Sequence, residues 1–136
     1  KNYHNIWNRF QIEIVSETHP IANSTYWMTE KTSRCLATGK PFLLLAGTNA
    51  LTRLHSMGFK TFNDVIDESY DQESNDIRRI ERVTELLRDL NNLSFHERQQ
   101  LQRAMLPMVE HNYNHFYRGG FVQVLWKELN GMLQGI

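Results

Sequence analysis

Trp27-Met-Thr-Glu-Lys-Thr-Ser-Arg-Cys-Leu-Ala-Thr-Gly-Lys-Pro-Phe-Leu-Leu-Leu-Ala46 reads in succession as an exposed loop, a short helix, a glycine stop and a buried strand. Thr29 can cap a helix beginning at Glu30, because its hydroxyl can accept a backbone N–H of the first turn. Gly39 suits the left-handed position just past a helix end. Pro41 can open a strand, and Phe42-Leu-Leu-Leu-Ala46 is apolar without alternation. That pattern predicts a strand covered on both faces, as in a parallel sheet. The N-terminus of the short helix carries positive partial charge and free N–H donors. Lys31 and Arg34 lie three apart and share a helix face. Two cations beside a helix start suggest an anion seat, for instance for a phosphate.

Upstream, Phe10-Gln-Ile-Glu-Ile-Val-Ser16 alternates and is rich in β-branched residues, which predicts a strand. Its alternation places Phe10, Ile12 and Ile14 on one face and Gln11 and Glu13 on the other. A polar loop, residues 17–26, follows the carboxyl end of that strand and delivers Trp27 and Thr29 to the same edge. Ligands of open α/β sheets bind at that edge. Downstream, Gly47-Thr-Asn49 predicts a strand-to-helix turn with capping residues, and residues 50–57 a helix stopped by Gly58. Phe59-Lys-Thr61 is a candidate third strand, and residues 61–66 a helical turn carrying Phe62, Val65 and Ile66 inward. The expectation is an α/β fold: a small parallel sheet of about three strands with flanking helices and right-handed crossovers.

The Trp27-Met28-Thr29-Glu30-Lys31 segment, the short helix, the glycine and the Pro-Phe strand together resemble the donor-binding lobe of two-lobed nucleotide-sugar glycosyltransferases. The nearest likeness is to the fucosyltransferase-like group, where an aromatic-x-Thr-Glu-Lys segment binds the nucleotide diphosphate. Ile14-Val-Ser-Glu17-Thr18 stands where that family has a strand ending in a glutamate. Leu54-His-Ser-Met-Gly-Phe-Lys-Thr-Phe62 and Asp67-Glu-Ser-Tyr-Asp71 resemble a phage and marine-microbe branch of similar proteins. The likeness spans roughly residues 10 to 90, and the ordered set of motifs is more specific than any one of them. It implies half of a two-Rossmann-lobe enzyme that binds a nucleoside diphosphate sugar as donor substrate. Lys31 would neutralise the diphosphate and Glu30 would bond a ribose or base hydroxyl. Arg34 could serve a phosphate or the surface, and Trp27 could stack on the base or pack. Thr29 and Glu17 match family positions, but the family's base usually comes from the other lobe, so no catalytic residue is assigned. An acceptor lobe, in a missing part of the chain or on a second chain, would complete the enzyme, since a two-lobed protein needs about twice this length or more.

Composition narrows the alternatives. The 136 residues carry 15 Lys+Arg and 15 Asp+Glu, a formal net charge of zero, which argues against a general binder of nucleic acid or anionic membranes. No apolar run approaches the roughly 20 residues of a membrane span. The polar, aromatic start does not resemble a signal peptide. The single cysteine, Cys35, cannot form an intrachain disulfide, so a cytoplasmic setting is the default; at mid-helix it reads as a buried, inert thiol.

The second half predicts helices. Asp67-Glu-Ser-Tyr-Asp-Gln-Glu-Ser-Asn-Asp76 is acidic; Asp67, Glu68 and Asp71 could hold a divalent metal but lack the glycine-containing spacing of a calcium loop, so a solvated loop, or a charge bias at the start of the next helix, is expected. A helix over residues 76–91 carries Ile77, Ile80, Val83, Leu86, Leu87 and Leu90 on one stripe, with Arg78, Arg79, Arg82 and Glu85 mostly outside. Ser94-Phe-His-Glu97 is a capping box, and Pro107 should kink the next helix or break it one residue earlier. His111 and His115 share a face as zinc ligands can, but no third ligand accompanies them. A last helix includes Phe121-Val-Gln-Val-Leu-Trp-Lys-Glu-Leu129. One domain over 1–136 is expected, sheet-containing over 1–66 and mainly helical over 67–136. The apolar groups of the last helices, Trp126 and Phe121 among them, could instead make the chain a non-catalytic interaction module that pairs as a homodimer. A small nucleotide-binding regulator is the weakest reading.

Overall fold

The computed structural model describes residues 12–17 and 28–135. Among them the order is β1 (Glu13–Ser16), α1 (Glu30–Thr38), β2 (Phe42–Leu45), α2 (Ala50–Ser56), a 3₁₀ turn (Ser69–Gln72), α3 (Asp76–Asn92), α4 (Phe95–Tyr117) and α5 (Gly120–Gln134). The fold is α/β and mostly helical. β1 and β2 pair in parallel, with Glu13 opposite Phe42 and Ser16 opposite Leu45, and α1 is the crossover between them.

The local signals around α1 act as expected. The Thr29 hydroxyl accepts the Lys31 N–H at 3.3 Å. Gly39 ends the helix at φ 65°, and its N–H turns back to the last carbonyls of α1. Phe42, Leu43 and Leu44 are all buried, so β2 is covered on both faces, as its unbroken apolar run requires. Phe42 meets Phe62 edge-on at 5.4 Å between ring centroids. The core continues through Leu36, Leu54, Phe59 and Met105. α4 packs against α1 and closes that layer.

Six expectations are corrected. The sheet has two strands among the described residues, not three. Phe59-Lys-Thr61 is not a strand; the Asn112 side chain takes the place of a strand partner. Its carbonyl accepts the Lys60 N–H at 2.7 Å and its amide donates to the Lys60 carbonyl at 2.8 Å. In β1 the buried residue is Val15, while Ile14 is 52% exposed; Phe10 and Gln11 lie outside the described residues.

The acidic run is not a solvated loop. Its 3₁₀ turn buries Tyr70 and Asp71, and the Glu68 carboxylate accepts the Phe62 N–H at 3.0 Å. Arg79 does not stand outside α3 but is 2% exposed. Its guanidinium donates to the Thr48 hydroxyl at 3.1 Å, the Glu73 carbonyl at 2.7 Å and Asp76 at 2.5 Å, tying the acidic run to the turn after β2. Ile77 and Ile80 of the expected stripe face outward instead. Finally, of the two outcomes expected at Pro107 the break is absent: α4 runs through it. Its capping box is present in full, the Glu97 carboxylate accepting the Ser94 N–H at 2.7 Å.

The join of α4 to α5 is set by His115. Its Nε2 lies 2.7 Å from the Met57 carbonyl oxygen, its ring meets Phe59 edge-on, and a Cβ on Gly58 or Gly120 would collide with it. Gly58 also has φ +90°, a conformation that costs other residues strain. Phe121 then packs on Phe59 and Phe116. No helix among the described residues is long and apolar enough to cross a membrane.

Candidate functional site

The carboxyl edge of the parallel pair gathers four of the six residues singled out from the sequence. Glu17 directly follows β1 and its N–H donates to the Leu45 carbonyl of β2 at 3.0 Å. The residue is 5% exposed. Its carboxylate turns toward the start of α1. It accepts the Thr29 and Thr32 N–H groups, each at 3.3 Å, the Thr32 hydroxyl at 2.5 Å, and the Thr29 hydroxyl. Burial by itself pushes this carboxyl up, but the threonine hydroxyls and N–H groups outweigh it, and the pKa lies below the ordinary 4.5. Glu17 is therefore a charged, fully engaged acceptor at neutral pH.

This arrangement changes the anion seat that the sequence suggests. Two first-turn donors of α1 are taken by the chain itself, the Thr32 N–H by Glu17 and the Lys31 N–H by Thr29. Two side chains also stand at this edge. Glu30 and Lys31 are exposed, and Lys31 Nζ donates to the Ser16 carbonyl at 3.0 Å, holding the ammonium over the carboxyl end of β1. Thr29 links the two parts, since its hydroxyl both donates to Glu17 and accepts from Lys31.

Arg34 goes elsewhere. One turn along α1, its guanidinium pairs with Glu13, the first residue of β1, and Lys40 stands 3.7 Å from the same carboxylate. Lys31 and Arg34 thus share a helix face but attend opposite ends of a four-residue strand, some 10 Å apart at about 3.3 Å per residue. Arg34 and Lys31 do not form one cationic pair. Trp27 lies outside the described residues.

Beside Glu17, the turn after β2 forms the other half of the edge. Asn49 takes φ 63°, a left-handed conformation that asparagine tolerates better than most residues. It makes no side-chain cap. The cap of α2 comes from Asp71, which accepts the Leu51 N–H at 3.1 Å, while the Asp71 carbonyl accepts the Asn49 N–H at 2.8 Å. Burial pushes the Asp71 carboxyl up, against the pull of the Leu51, Thr52 and Ala50 N–H groups and of Arg79. Sequence reasoning missed the roles of Asp71, Arg79 and Asn112. No short-range signal marks them, because each reaches a partner 20 or more residues away.

The remaining candidates have structural employment. His111 Nε2 lies 2.8 Å from the Gly58 carbonyl oxygen, so the His111 and His115 pair serves two successive carbonyls. No group of three or more metal-ligating side chains occurs among the described residues. Cys35 is buried, and burial followed by the nearby Glu13 carboxylate pushes its thiol up to about 12, too high for a nucleophile at neutral pH.

No protein-family model matches the chain, and no curated protein or solved structure matches it.

Proposed function

We propose that the chain is the donor-binding lobe of a nucleotide-sugar glycosyltransferase, with Lys31 and Glu30 as its ligand-facing residues. The observation that carries this reading is the buried Glu17 carboxylate. It engages both Thr29 and Thr32 and so fixes the intervening Glu30 and Lys31, both exposed, at the carboxyl edge of a parallel strand pair. Residues held rigidly by a buried acceptor keep their geometry when a ligand arrives, which lowers the ordering cost of binding. A ribose hydroxyl suits the Glu30 carboxylate. The diphosphate suits Lys31, whose ammonium would exchange the Ser16 carbonyl for a phosphate oxygen. As the bond to the sugar breaks, charge builds on the leaving diphosphate, and a fixed cation stabilises it.

In this reading Glu17, Thr29 and Thr32 position the site and do not touch the donor. Arg34, committed to Glu13, lies too far along α1 to share the phosphate with Lys31. The acceptor-binding lobe, with the catalytic base, is a partner outside the described residues, in a cytoplasmic setting.

The test is a thermal-shift titration with GDP, UDP and ADP, with and without magnesium. A ligand that binds only the folded state stabilises it by about 2.7 kcal/mol at roughly 100 times Kd. The expected result is a rise in Tm of several degrees with one diphosphate, lost in Lys31→Ala while circular dichroism stays unchanged. No shift at millimolar concentration with any of the three, or an undiminished shift in folded Lys31→Ala, overturns the reading.

A further inference from the structure

α5 is the most apolar helix surface left uncovered. Phe121 and Val124 turn toward the core. Val122, Leu125, Trp126, Leu129, Met132 and Leu133 do not: they are 59%, 45%, 64%, 46%, 57% and 58% exposed. Six such side chains present roughly 600 Å² of apolar surface, the upper end of what a monomer leaves open. Each partner of a standard interface contributes about 800 Å², so this face with its polar margin is the right size for one.

The spacing within the face says what covers it. Val122, Trp126, Leu129 and Leu133 are separated by four, three and four residues, the seam of a two-stranded coiled coil. The seam is symmetric about the midpoint between Lys127 and Glu128. Reversing a second copy about that point sets Val122 against Leu133 and Trp126 against Leu129. The flanks match in the same way. Leu125 then runs beside Met132 of the other copy, apolar with apolar, and Gln123 beside Asn130, amide with amide. No like charges meet. Lys127 points away from the seam, and Glu128 is directed back to its own chain, 3.8 Å from Arg53. A face complementary to itself under a twofold rotation is the requirement for an isologous dimer.

We infer that the partner of α5 is a second copy of this chain, joined through an antiparallel α5–α5 pair in the Trp126–Leu129 register. The helix is about 22 Å long at 1.5 Å per residue, two heptads of seam, so the pair is a reversible dimer in the micromolar range rather than a permanent one.

The test is sedimentation velocity on the whole chain from about 1 to 200 µM, with Trp126→Cys and Leu129→Cys variants for register. The wild type is expected to shift from monomer to dimer with concentration, and Trp126→Glu/Leu129→Glu to remain monomeric with an unchanged far-ultraviolet spectrum. The two cysteine variants, mixed and oxidised, should give mostly the mixed disulfide, because residue 126 of one copy faces residue 129 of the other. A wild type that stays monomeric throughout overturns the inference, whatever the glutamate variant does. That holds whether the face then binds phosphatidylcholine vesicles or an added acceptor lobe. Disulfides mainly between identical variants overturn the antiparallel register.

Discussion

Two helices begin at the carboxyl edge of this sheet, and each is capped by a buried carboxylate from another segment, yet the two carboxylates end on opposite sides of their ordinary pKa. Glu17 at α1 is held below its ordinary pKa and Asp71 at α2 above it. Both are 5% exposed, and burial pushes both carboxyls up. The donors differ. Glu17 accepts two hydroxyls as well as two N–H groups. Asp71 is served by backbone N–H groups and by the field of Arg79, and these do not outweigh its desolvation. Hydroxyl donors can rotate onto the charged oxygen, while backbone donors point where the helix aims them. A buried carboxylate near a helix start is thus not one kind of group. The two threonines make Glu17 a stable anion that holds the start of α1, whereas Asp71 caps α2 without that support.

The two sites differ also in what remains when the carboxylate goes, and that gives the largest expected effect. Asp71→Ala leaves the start of α2 without a side-chain cap, because Asn49 makes none, and removes one of the carboxylates near Arg79, whose ion pair with Asp76 remains. A loss of about 3 kcal/mol is expected for a buried group with this many partners. Glu17→Ala should cost less, about 2 kcal/mol, because Thr29 still caps the Lys31 N–H. Urea denaturation at pH 7 measures both. Equal losses, or a larger one at Glu17, would break the ordering and show that Thr29 does not cap α1 on its own.

The α1 side of this comparison was legible in the sequence and the α2 side was not. Thr29, Gly39 and the run Phe42-Leu-Leu-Leu act on neighbours a few residues away, so local rules find them. Alternation and resemblance both place Glu17 at a strand end. That it caps α1 depends on a contact spanning 15 residues. Asp71 stood in a run of carboxylates that reads as solvated, and only the long-range fold shows which member turns inward. The same failure misplaced Arg79. A cation in a helical stripe reads as exposed until a hydroxyl, a carbonyl and a carboxylate are found converging on it. Asn112 hid the missing third strand, since nothing local tells that a side-chain amide will satisfy both backbone groups of Lys60. The exposed seam of α5 was visible as apolar residues. That they face away from the core is a fact of packing.

The smallest and sharpest effect is the pH dependence at the two caps. For Glu17, whose folded pKa lies below 4.5, the unfolded chain binds the proton more readily. Its contribution is present above 4.5 and is lost as pH falls through the folded value. For Asp71 the sign reverses. The folded pKa lies above 3.8, so the folded chain holds the proton more tightly, and stability falls as pH rises from 3.8 through the folded value. Stability measured between pH 3 and 6 in wild type, Glu17→Gln and Asp71→Asn separates them. Glu17→Gln should flatten the loss on the acid side, and Asp71→Asn should remove a decline on going toward neutral pH. A decline with rising pH at both sites would mean that desolvation, not the supply of hydroxyl donors, governs both. In that case Glu17 would lose its claim to be the fixed anion behind Glu30 and Lys31.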